Sequence, residues 1–150
     1  MPGRSAEGGP WGELPLVIDT SAWARVGDPV VRGHWREALF EDRLRLSPPA
    51  RLEFLLSARN AETFDALTEE LSTIRPAPLT AAVLRAAEDA MRALARRSAE
   101  AQRLPIVDYL VAAAAQELGA AVLHYDRDYD RLAEVMEFES VWLAPAGTLP

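Results

Sequence analysis

The chain has 150 residues, of which 49% are hydrophobic and 26% are charged, and this composition is that of one globular domain. It contains no cysteine, which excludes disulfides, cysteine-bound zinc, iron–sulfur clusters and thiol nucleophiles. The formal net charge of −7 argues against broad binding to nucleic acid or anionic membranes, but it permits an acidic pocket that handles nucleic acid through metal ions.

The two ends of the chain differ in composition from the region between them. Residues 1–13 are polar and glycine-rich, lack the apolar core of a signal peptide and predict a flexible leader. Residues 14–143 predict a single folded domain, and residues 144–150 predict a loose C-terminal tail. No apolar run approaches the roughly 20 residues of a membrane span, so we expect a cytoplasmic protein.

Short apolar runs alternate along the chain with segments of helical periodicity. The predicted strands span residues 14–18, 44–47, 72–77, 120–124 and 141–143. The predicted helices span residues 29–42, 48–59, 62–71, 80–103, 106–118 and 126–134. Because strands that alternate with helices pair in parallel, we predict a three-layer α/β/α domain with a central parallel sheet of four to five strands.

Acidic residues gather at one edge of the predicted sheet. Asp19 ends the first strand, Asp126 follows the fourth strand by two residues, and Asp108 lies in the first turn of its helix. Glu53 is embedded in an apolar stretch of the second helix, where a carboxylate is rare without a partner. Taken singly, Asp108 also fits a charge favoured by the helix dipole, and Asp126 also fits an ordinary turn residue.

A pocket shared by these acids would require compensating charge. Two carboxylates about 4 Å apart repel by about 4 kcal/mol at an effective dielectric constant of about 20. Such a pocket is stable only with a divalent cation or with protons held at a raised pKa. Oxygen ligands without cysteine favour Mg²⁺ or Mn²⁺ over zinc, and carboxylate-held Mg²⁺ suits cleavage of a phosphodiester by an activated water.

Four sequence blocks, in this order and spacing, resemble the PIN-domain ribonucleases, most closely the VapC-type toxins of bacterial toxin–antitoxin pairs. The blocks are LVIDTSAW at 16–23, RLEFLL at 51–56, PIVDYLVAA at 105–113 and VLHYDRDY at 122–129, and the resemblance covers residues 14 to about 143. It implies a Mg²⁺- or Mn²⁺-dependent endoribonuclease in which a metal-activated water attacks the scissile phosphate. The acids that it implies as catalytic and metal-holding residues are Asp19, Glu53, Asp108 and Asp126, with Asp128 as an auxiliary acid.

This chain departs from the usual family pattern at two positions. His124 stands where family members often carry Thr or Ser, and Tyr129 stands where they usually carry Phe. His124 is either a structural residue at a strand end or an auxiliary residue that supplies a hydrogen bond near the acids. Ser21, just past Asp19, either caps the next helix or orients the site carboxylates, as its counterpart does in the family.

Arginines form a stripe on the predicted helix of residues 80–103. Their spacing of 7, 4 and 7 residues places Arg85, Arg92, Arg96 and Arg103 on one face. We favour a solvated face with ion pairs Arg85–Asp89 and Glu88–Arg92, and the alternative is a basic track for RNA. Arg25 is similarly open between a solvated helix residue and a phosphate contact. The predicted apolar face of this helix consists of Val83, Leu84, Ala87, Met91 and Leu94.

Partners also follow from the resemblance, which implies an RNA substrate, a homodimer and a cognate antitoxin. Trp11, Trp23 and Trp35 crowd the first quarter of the chain and predict an exposed apolar groove there, into which an antitoxin segment would bring an Arg to the acids. Two other functions use the same residues. One is a metal-dependent phosphatase or DNA nuclease, and the other is a non-catalytic PIN-like interaction module.

Overall fold

The computed structural model describes residues 9–150, so residues 1–8 of the predicted leader lie outside the described residues. The strands are β1 (Leu16–Ile18), β2 (Leu44–Leu46), β3 (Arg75–Pro76), β4 (Ala121–His124) and β5 (Glu139–Trp142). The helices are α1 (Thr20–Trp23), α2 (Arg32–Phe40), α3 (Pro48–Leu55), α4 (Ala61–Leu71), α5 (Ala81–Ala95), α6 (Ile106–Leu118) and α7 (Asp128–Ala133). The predicted α/β class is confirmed.

The five strands form one parallel sheet in the order β3-β2-β1-β4-β5. The side chains of Leu16, Val17 and Ile18 in β1 are all fully buried. Because successive side chains of a strand point to opposite faces, helices must cover both faces of the sheet. The prediction of a three-layer domain with four to five parallel strands is therefore confirmed, with five.

Helix α6 packs against the central strands β1 and β4 and against α5. The four consecutive alanines Ala112–Ala115 in α6 are fully buried, and their small side chains allow the helix to lie close to its neighbours. Gly119 ends α6 in the left-handed conformation with φ of 62°, as the sequence predicts for a glycine just past a helix end. This close packing fixes the position of the first turn of α6, where Asp108 lies.

The leader prediction needs correction for residues 9–13. Trp11 is buried, and its indole Nε1 donates to the carbonyl of Leu143 at 3.0 Å. Arg43 Nη2 donates to the carbonyls of Gly12 and Leu14 at 2.7 and 3.0 Å. A buried indole and an arginine that binds backbone carbonyls hold this segment against the domain, so the folded unit begins before residue 14.

The predicted loose tail over residues 144–150 is also corrected. Ala144 and Leu149 are buried, and Leu149 N donates to the hydroxyl of Tyr125 at 2.8 Å. Arg25 Nε donates to the carbonyl of Pro150 at 3.0 Å. The last residues therefore cover the segment that follows β4.

The long helix predicted over residues 80–103 ends at Ala95, so the arginine stripe is not continuous. Arg96 is the C-cap of α5, and Arg103 lies outside any helix. The predicted ion pairs are replaced by one between Arg92 and Asp89 at 3.1 Å. The apolar face also differs from the prediction, because Leu84 and Met91 are exposed while the buried side chains are Val83, Ala86, Ala87, Ala90 and Leu94.

The three N-terminal tryptophans pack into the domain and do not form the predicted exposed groove. Trp11 and Trp35 are buried, and Trp23 is partly buried in a stack on Phe54 with ring centroids 5.1 Å apart. Several exposed apolar side chains lie on α3 and its C-cap, on α4 and at the start of α6, and others, such as Phe40 on α2, lie elsewhere. None of the helices between residues 9 and 150 is both long and apolar enough to cross a membrane.

Candidate active site

The acids come together at the switch point of the sheet, between β1 and β4, where the order in which the strands are added changes direction. β1 lies between β2 and β4, so the chain leaves β1 toward one side of the sheet and later returns to pair β4 on the other side. In open α/β sheets, ligands bind beyond the carboxyl ends of the strands at such a point. Asp19 follows β1 directly and Asp126 follows β4 by two residues, and Asp19 N donates to the carbonyl of Leu123 at 3.0 Å.

Asp19 is held by three hydrogen bonds. It is the N-cap of α1, and its Oδ2 accepts from the backbone N–H of Ser21 at 3.0 Å and from Ser21 Oγ at 2.6 Å. Its Oδ1 accepts from the hydroxyl of Tyr129 at 2.6 Å. Ser21 Oγ also accepts from the backbone N–H of Tyr125 at 2.8 Å. Ser21 thus orients a site carboxylate and ties the loop after β4 to the start of α1.

Asp108 is the most perturbed acid of the site. It is buried in the first turn of α6, and its Oδ2 has no hydrogen-bond partner among the described residues. Burial, followed by the negative charges of Asp19, Asp126 and Asp128, raises the pKa of Asp108 from 3.8 to about 8, while the nearby hydroxyl of Tyr129 has a smaller lowering effect. A buried carboxylate oxygen without a donor is costly unless a proton or a cation binds it.

Asp126 lies on the loop between β4 and α7, and Asp128 is the first residue of α7. The backbone N–H of Asp128 donates to Asp126 Oδ1 at 2.9 Å, which folds this short loop back on itself. Burial and then the charge of Asp126 raise the pKa of Asp128. One carboxylate oxygen from each of Asp108, Asp126 and Asp128 lies within 4.8 Å of the others. The closest group of acids in the described chain thus includes Asp128, which the sequence analysis gave only an auxiliary role.

Glu53 approaches the site from α3. Its Oε1 accepts a hydrogen bond from the hydroxyl of Thr20, the residue after Asp19. Glu53 is half-buried and is not a member of the three-acid group, so the structure places it beside the group. Thr20 joins α1 to α3 in this way.

His124 lies beneath the loop that carries Asp126. It is fully buried, its Nδ1 accepts from the backbone N–H of Asp126 at 3.1 Å, and its Nε2 lies 2.7 Å from Ser140 Oγ. Because Nδ1 accepts, the proton of the neutral ring is on Nε2 and donates to Ser140, whose hydroxyl donates to Asp130 at 2.7 Å. Burial lowers the pKa of His124 to about 4. Both ring nitrogens are therefore engaged within the protein.

Tyr129 lies at the centre of the site, although its sequence position predicts only a replacement for Phe. The side chain is fully buried, and its hydroxyl contacts Asp19 and Asp108. Burial and the charges of Asp19 and Asp108 raise the pKa of Tyr129 well above its ordinary value, so the hydroxyl stays a donor. Only one feature of the sequence points to this contact, which is that Tyr129 follows Asp126 by three residues.

The arginines named as candidate RNA contacts have different surroundings. Arg25 donates from Nη1 to the carbonyl of Ser21 at 2.7 Å, and its guanidinium lies 4.6 Å from the ring centre of Tyr125. Arg85, Arg92 and Arg96 are exposed on α5 and its C-cap. The fold thus uses Arg25 internally, and the other three arginines face solvent.

The chemistry of the donors fits a divalent cation. Three close carboxylates offer only oxygen ligands, and one of their oxygens is buried without a donor. Oxygen-only sites of this kind suit Mg²⁺ or Mn²⁺. A cation held by these oxygens would remove both the mutual repulsion and the unsatisfied atom.

Comparison with known proteins agrees with this geometry. The family model described as PIN domain matches residues 16–135. Ribonuclease VapC18 of Mycobacterium tuberculosis (strain ATCC 25618 / H37Rv) is 38% identical over 137 residues, which cover 91% of this chain and 100% of that protein. Ribonuclease VapC51 of the same strain is 35% identical over 136 residues, covering 91% and 98%. The chain therefore belongs to the PIN-domain family, and within that family its relatives are VapC ribonucleases.

Solved structures show the same fold at low sequence identity. A chain of the DNA-bound VapBC structure from Salmonella typhimurium has a TM-score of 0.70 at 14% identity, with 88% of this chain and 100% of that chain covered. A chain of VapBC-5 from Mycobacterium tuberculosis, a member of the VapBC family of toxin–antitoxin systems, has a TM-score of 0.63 at 22% identity, with 85% and 98% covered. The resemblance stated from the four sequence blocks is thus confirmed.

Proposed function

We propose that this protein is a Mg²⁺- or Mn²⁺-dependent endoribonuclease that acts as the toxin of a toxin–antitoxin pair in the cytoplasm, where its RNA substrate is found. The observation that carries the proposal is the three-acid group, in which Asp126 and Asp128 are half-buried and Asp108 is buried with an unpartnered Oδ2. The names of the relatives, Ribonuclease VapC18 and VapC51, support the choice of RNA.

The acids divide into two groups by their surroundings. Asp108, Asp126 and Asp128 have close oxygens and would hold a cation directly. Asp19, whose oxygens accept three hydrogen bonds, and Glu53, which accepts from Thr20, complete the set from the edge of the site. When bound, the cation supplies positive charge that stabilises the phosphate and acidifies a water molecule. The protein supplies fixed carboxylates, while Arg85, Arg92 and Arg96 form a solvated face of α5 and its C-cap, with an RNA contact as the alternative.

The purified protein tests this function on three substrates. We expect cleavage of single-stranded RNA in Mg²⁺ or Mn²⁺, no cleavage in EDTA, and little action on single-stranded DNA or a phosphomonoester. The Asp108→Asn variant is the matched negative control for contaminating nucleases. Preferred cleavage of DNA or of the phosphomonoester would favour the alternative enzymes, and full activity in EDTA would contradict the metal proposal. Absence of both metal binding and cleavage would favour an interaction module.

An apolar surface beside the site supports the antitoxin proposal. Leu52, Leu56, Phe64 and Val107 line an open groove of about 430 Å³, and Leu52 and Leu56 are 67% and 84% exposed. Glu53 lines the same groove and contacts Thr20, so the groove leads toward the acids. An apolar segment docked here could extend an Arg to the carboxylates, whose planar geometry suits a guanidinium.

We expect a short open reading frame for the antitoxin to lie immediately upstream of the gene, and coexpression with it tests this partner. We expect a small protein to copurify and to suppress cleavage. Leu56→Asp should weaken that complex at least about tenfold, because it places a charge in the apolar contact. Phe40→Asp is the control, since Phe40 is 92% exposed on α2 and does not line the groove. Equal weakening by both variants would contradict docking at this groove.

The oligomeric state forms a separate part of the proposal. We expect a homodimer, as the family resemblance implies. Light scattering of the isolated protein at tens of micromolar checks this expectation. A monomeric mass at that concentration would contradict it and leave the nuclease and antitoxin proposals intact.

A further inference from the structure

The hydroxyl of Tyr129 lies between two carboxylates in the protein interior. It is 2.6 Å from Asp19 Oδ1 and 3.4 Å from Asp108 Oδ1. A phenol has one hydrogen to donate, and the shorter distance assigns that hydrogen to Asp19. Tyr129 thus completes the set of donors to Asp19, whose other oxygen accepts from the N–H and the hydroxyl of Ser21.

The ring of Tyr129 has no freedom to move this hydroxyl. It is fully buried and stacks on His124, with ring centroids 4.9 Å apart and planes 28° apart. His124 is itself fixed at both nitrogens by Ser140 and by the backbone N–H of Asp126. One aromatic pair therefore contacts Asp19 on one side and the Asp126 loop on the other.

From this geometry we infer that Tyr129 is a positioning residue, which fixes the orientation of Asp19 and separates it from Asp108 so that both carboxylates face one cation. The inference rests on the proposed metal-dependent function. A Phe at this position would leave Asp19 Oδ1 without its donor and facing the buried Asp108. Asp19 could then rotate, and the cation would lose a fixed neighbour.

The variant Tyr129→Phe removes one oxygen atom and keeps the ring. We expect the dissociation constant for Mn²⁺, measured by calorimetry, to rise by about 10- to 100-fold, the usual effect of losing an outer partner of a metal site. The Mg²⁺ concentration for half-maximal RNA cleavage should rise in parallel, while KM for RNA at saturating Mg²⁺ stays unchanged.

Tyr109→Phe is the matched control. Tyr109 is also a buried tyrosine and adjoins Asp108 in the chain, but its hydroxyl donates to the carbonyl of Gln102 at 2.5 Å. This variant loses a part-buried hydrogen bond to a neutral backbone carbonyl and none to a carboxylate, so it should lower thermal stability without changing the affinity for Mn²⁺.

Three outcomes would overturn the inference. If Tyr129→Phe melts lower but binds Mn²⁺ as tightly as the unaltered protein does, Tyr129 is only structural. If the unaltered protein binds no Mn²⁺, the proposed function fails together with the inference. If Tyr129→Phe does not fold, the inference is tested instead by NMR of the unaltered protein with ring-labelled tyrosine. Saturating Mg²⁺ should shift the Tyr129 resonance and leave that of Tyr109 in place, and an unmoved Tyr129 resonance would contradict the inference.

Discussion

The Nδ1 atom of His124 accepts the backbone N–H of Asp126 at a distance of 3.1 Å. The ring is therefore a neutral hydrogen-bond acceptor for the loop, and its second nitrogen donates to Ser140. Both interpretations of His124 that the sequence left open apply, because it is a buried strand-end residue that also supports the position of a site acid.

We expect His124 to remain neutral throughout the physiological pH range. Burial lowers its pKa from 6.5 to about 4, so the unfolded chain binds this proton more tightly than the folded chain does. The stabilising contribution is present above pH 6.5 and is lost as the pH falls toward 4. NMR of labelled imidazole nitrogens should show no change of charge for His124 between pH 5.5 and 8. Titration of His124 near pH 6.5 would contradict its buried environment.

Asp108→Asn should reduce activity and metal binding without lowering the stability of the metal-free protein. It removes one charge from a crowded group and an oxygen that has no partner among residues 9–150. RNA cleavage and Mn²⁺ binding should fall by more than about 100-fold, since even outer partners of a metal typically contribute about 10- to 100-fold. Without metal, the melting temperature should hold or rise. Unfolding of the variant would show that Asp108 is needed for the fold.

Asp19→Asn should behave differently, because Asp19 already accepts three hydrogen bonds and caps α1. An amide nitrogen cannot accept a hydrogen bond, so the variant loses the acceptor either for the Tyr129 hydroxyl or for the N–H and hydroxyl of Ser21. We expect a loss of about 1–2 kcal/mol in the free energy of unfolding, along with the loss of cleavage. Denaturant titration of the two asparagine variants without metal compares them directly. Equal stability of Asp19→Asn and Asp108→Asn would contradict the assignment of the donors to Asp19.

The contribution of Asp108 to the stability of the metal-free protein should decrease as the pH rises from about 4 to about 8, opposite in sign to that of His124, which increases between pH 4 and 6.5. Asp108 has a folded-state pKa of about 8 and an ordinary value of 3.8, so the folded chain binds this proton more tightly. Its contribution is therefore complete below pH 3.8 and is lost as the pH rises through 8. After allowance for solvent screening the loss is about 2 kcal/mol.

Urea titrations at pH 5.5, 7 and 8.5 measure this dependence with and without Mg²⁺. Excess Mg²⁺ should restore stability at pH 8.5 because the cation binds the ionised group in the folded state. Asp108→Asn should reduce the slope of stability against pH. The same slope in that variant would assign the pH dependence to other residues.

Leu149→Ala tests whether the last residues belong to the folded unit. Leu149 is buried, and its backbone N–H donates to Tyr125. We expect a loss of about 2 kcal/mol in the free energy of unfolding, at the low end for a buried leucine because the site is near the surface. Leu56→Ala is the control, since an 84% exposed leucine should change stability by less than about 0.5 kcal/mol. Equal effects of the two variants would show that residues 144–150 form a loose tail, as the sequence predicts.

The sequence predicts the centre of the sheet well because β1 and β4 are short, fully buried runs that are almost entirely apolar, whereas the edge strands β3 and β5 are partly exposed. It predicts the acids at the sheet edge because parallel strands bring their carboxyl ends to one side. The end of α5 is not predicted, since the residues after Ala95 are good helix formers. Tertiary contacts hold this connection in another conformation, and Tyr109 donates across to Gln102.

The burial of Trp11 and Leu149 cannot be read from the sequence either. Each is an isolated apolar residue among polar, glycine or proline residues, so no periodicity marks it. The closeness of Asp128 to Asp108 and the contact of Tyr129 with Asp19 depend on the fold of the loop after β4. Local spacing places these residues near the site but does not set the distances between their atoms.

The pairing of β1 with β4 has a consequence for synthesis of the protein. The hydrogen bond between Ser21 and Tyr125 spans 104 residues of sequence, and every acid of the close group comes from the later part of the chain. A growing chain on the ribosome cannot complete the site until β4 and its following loop have emerged. A fragment that ends before β4 lacks Asp126 and Asp128, two of the three close acids, so the acid group forms only after this later segment has joined the sheet.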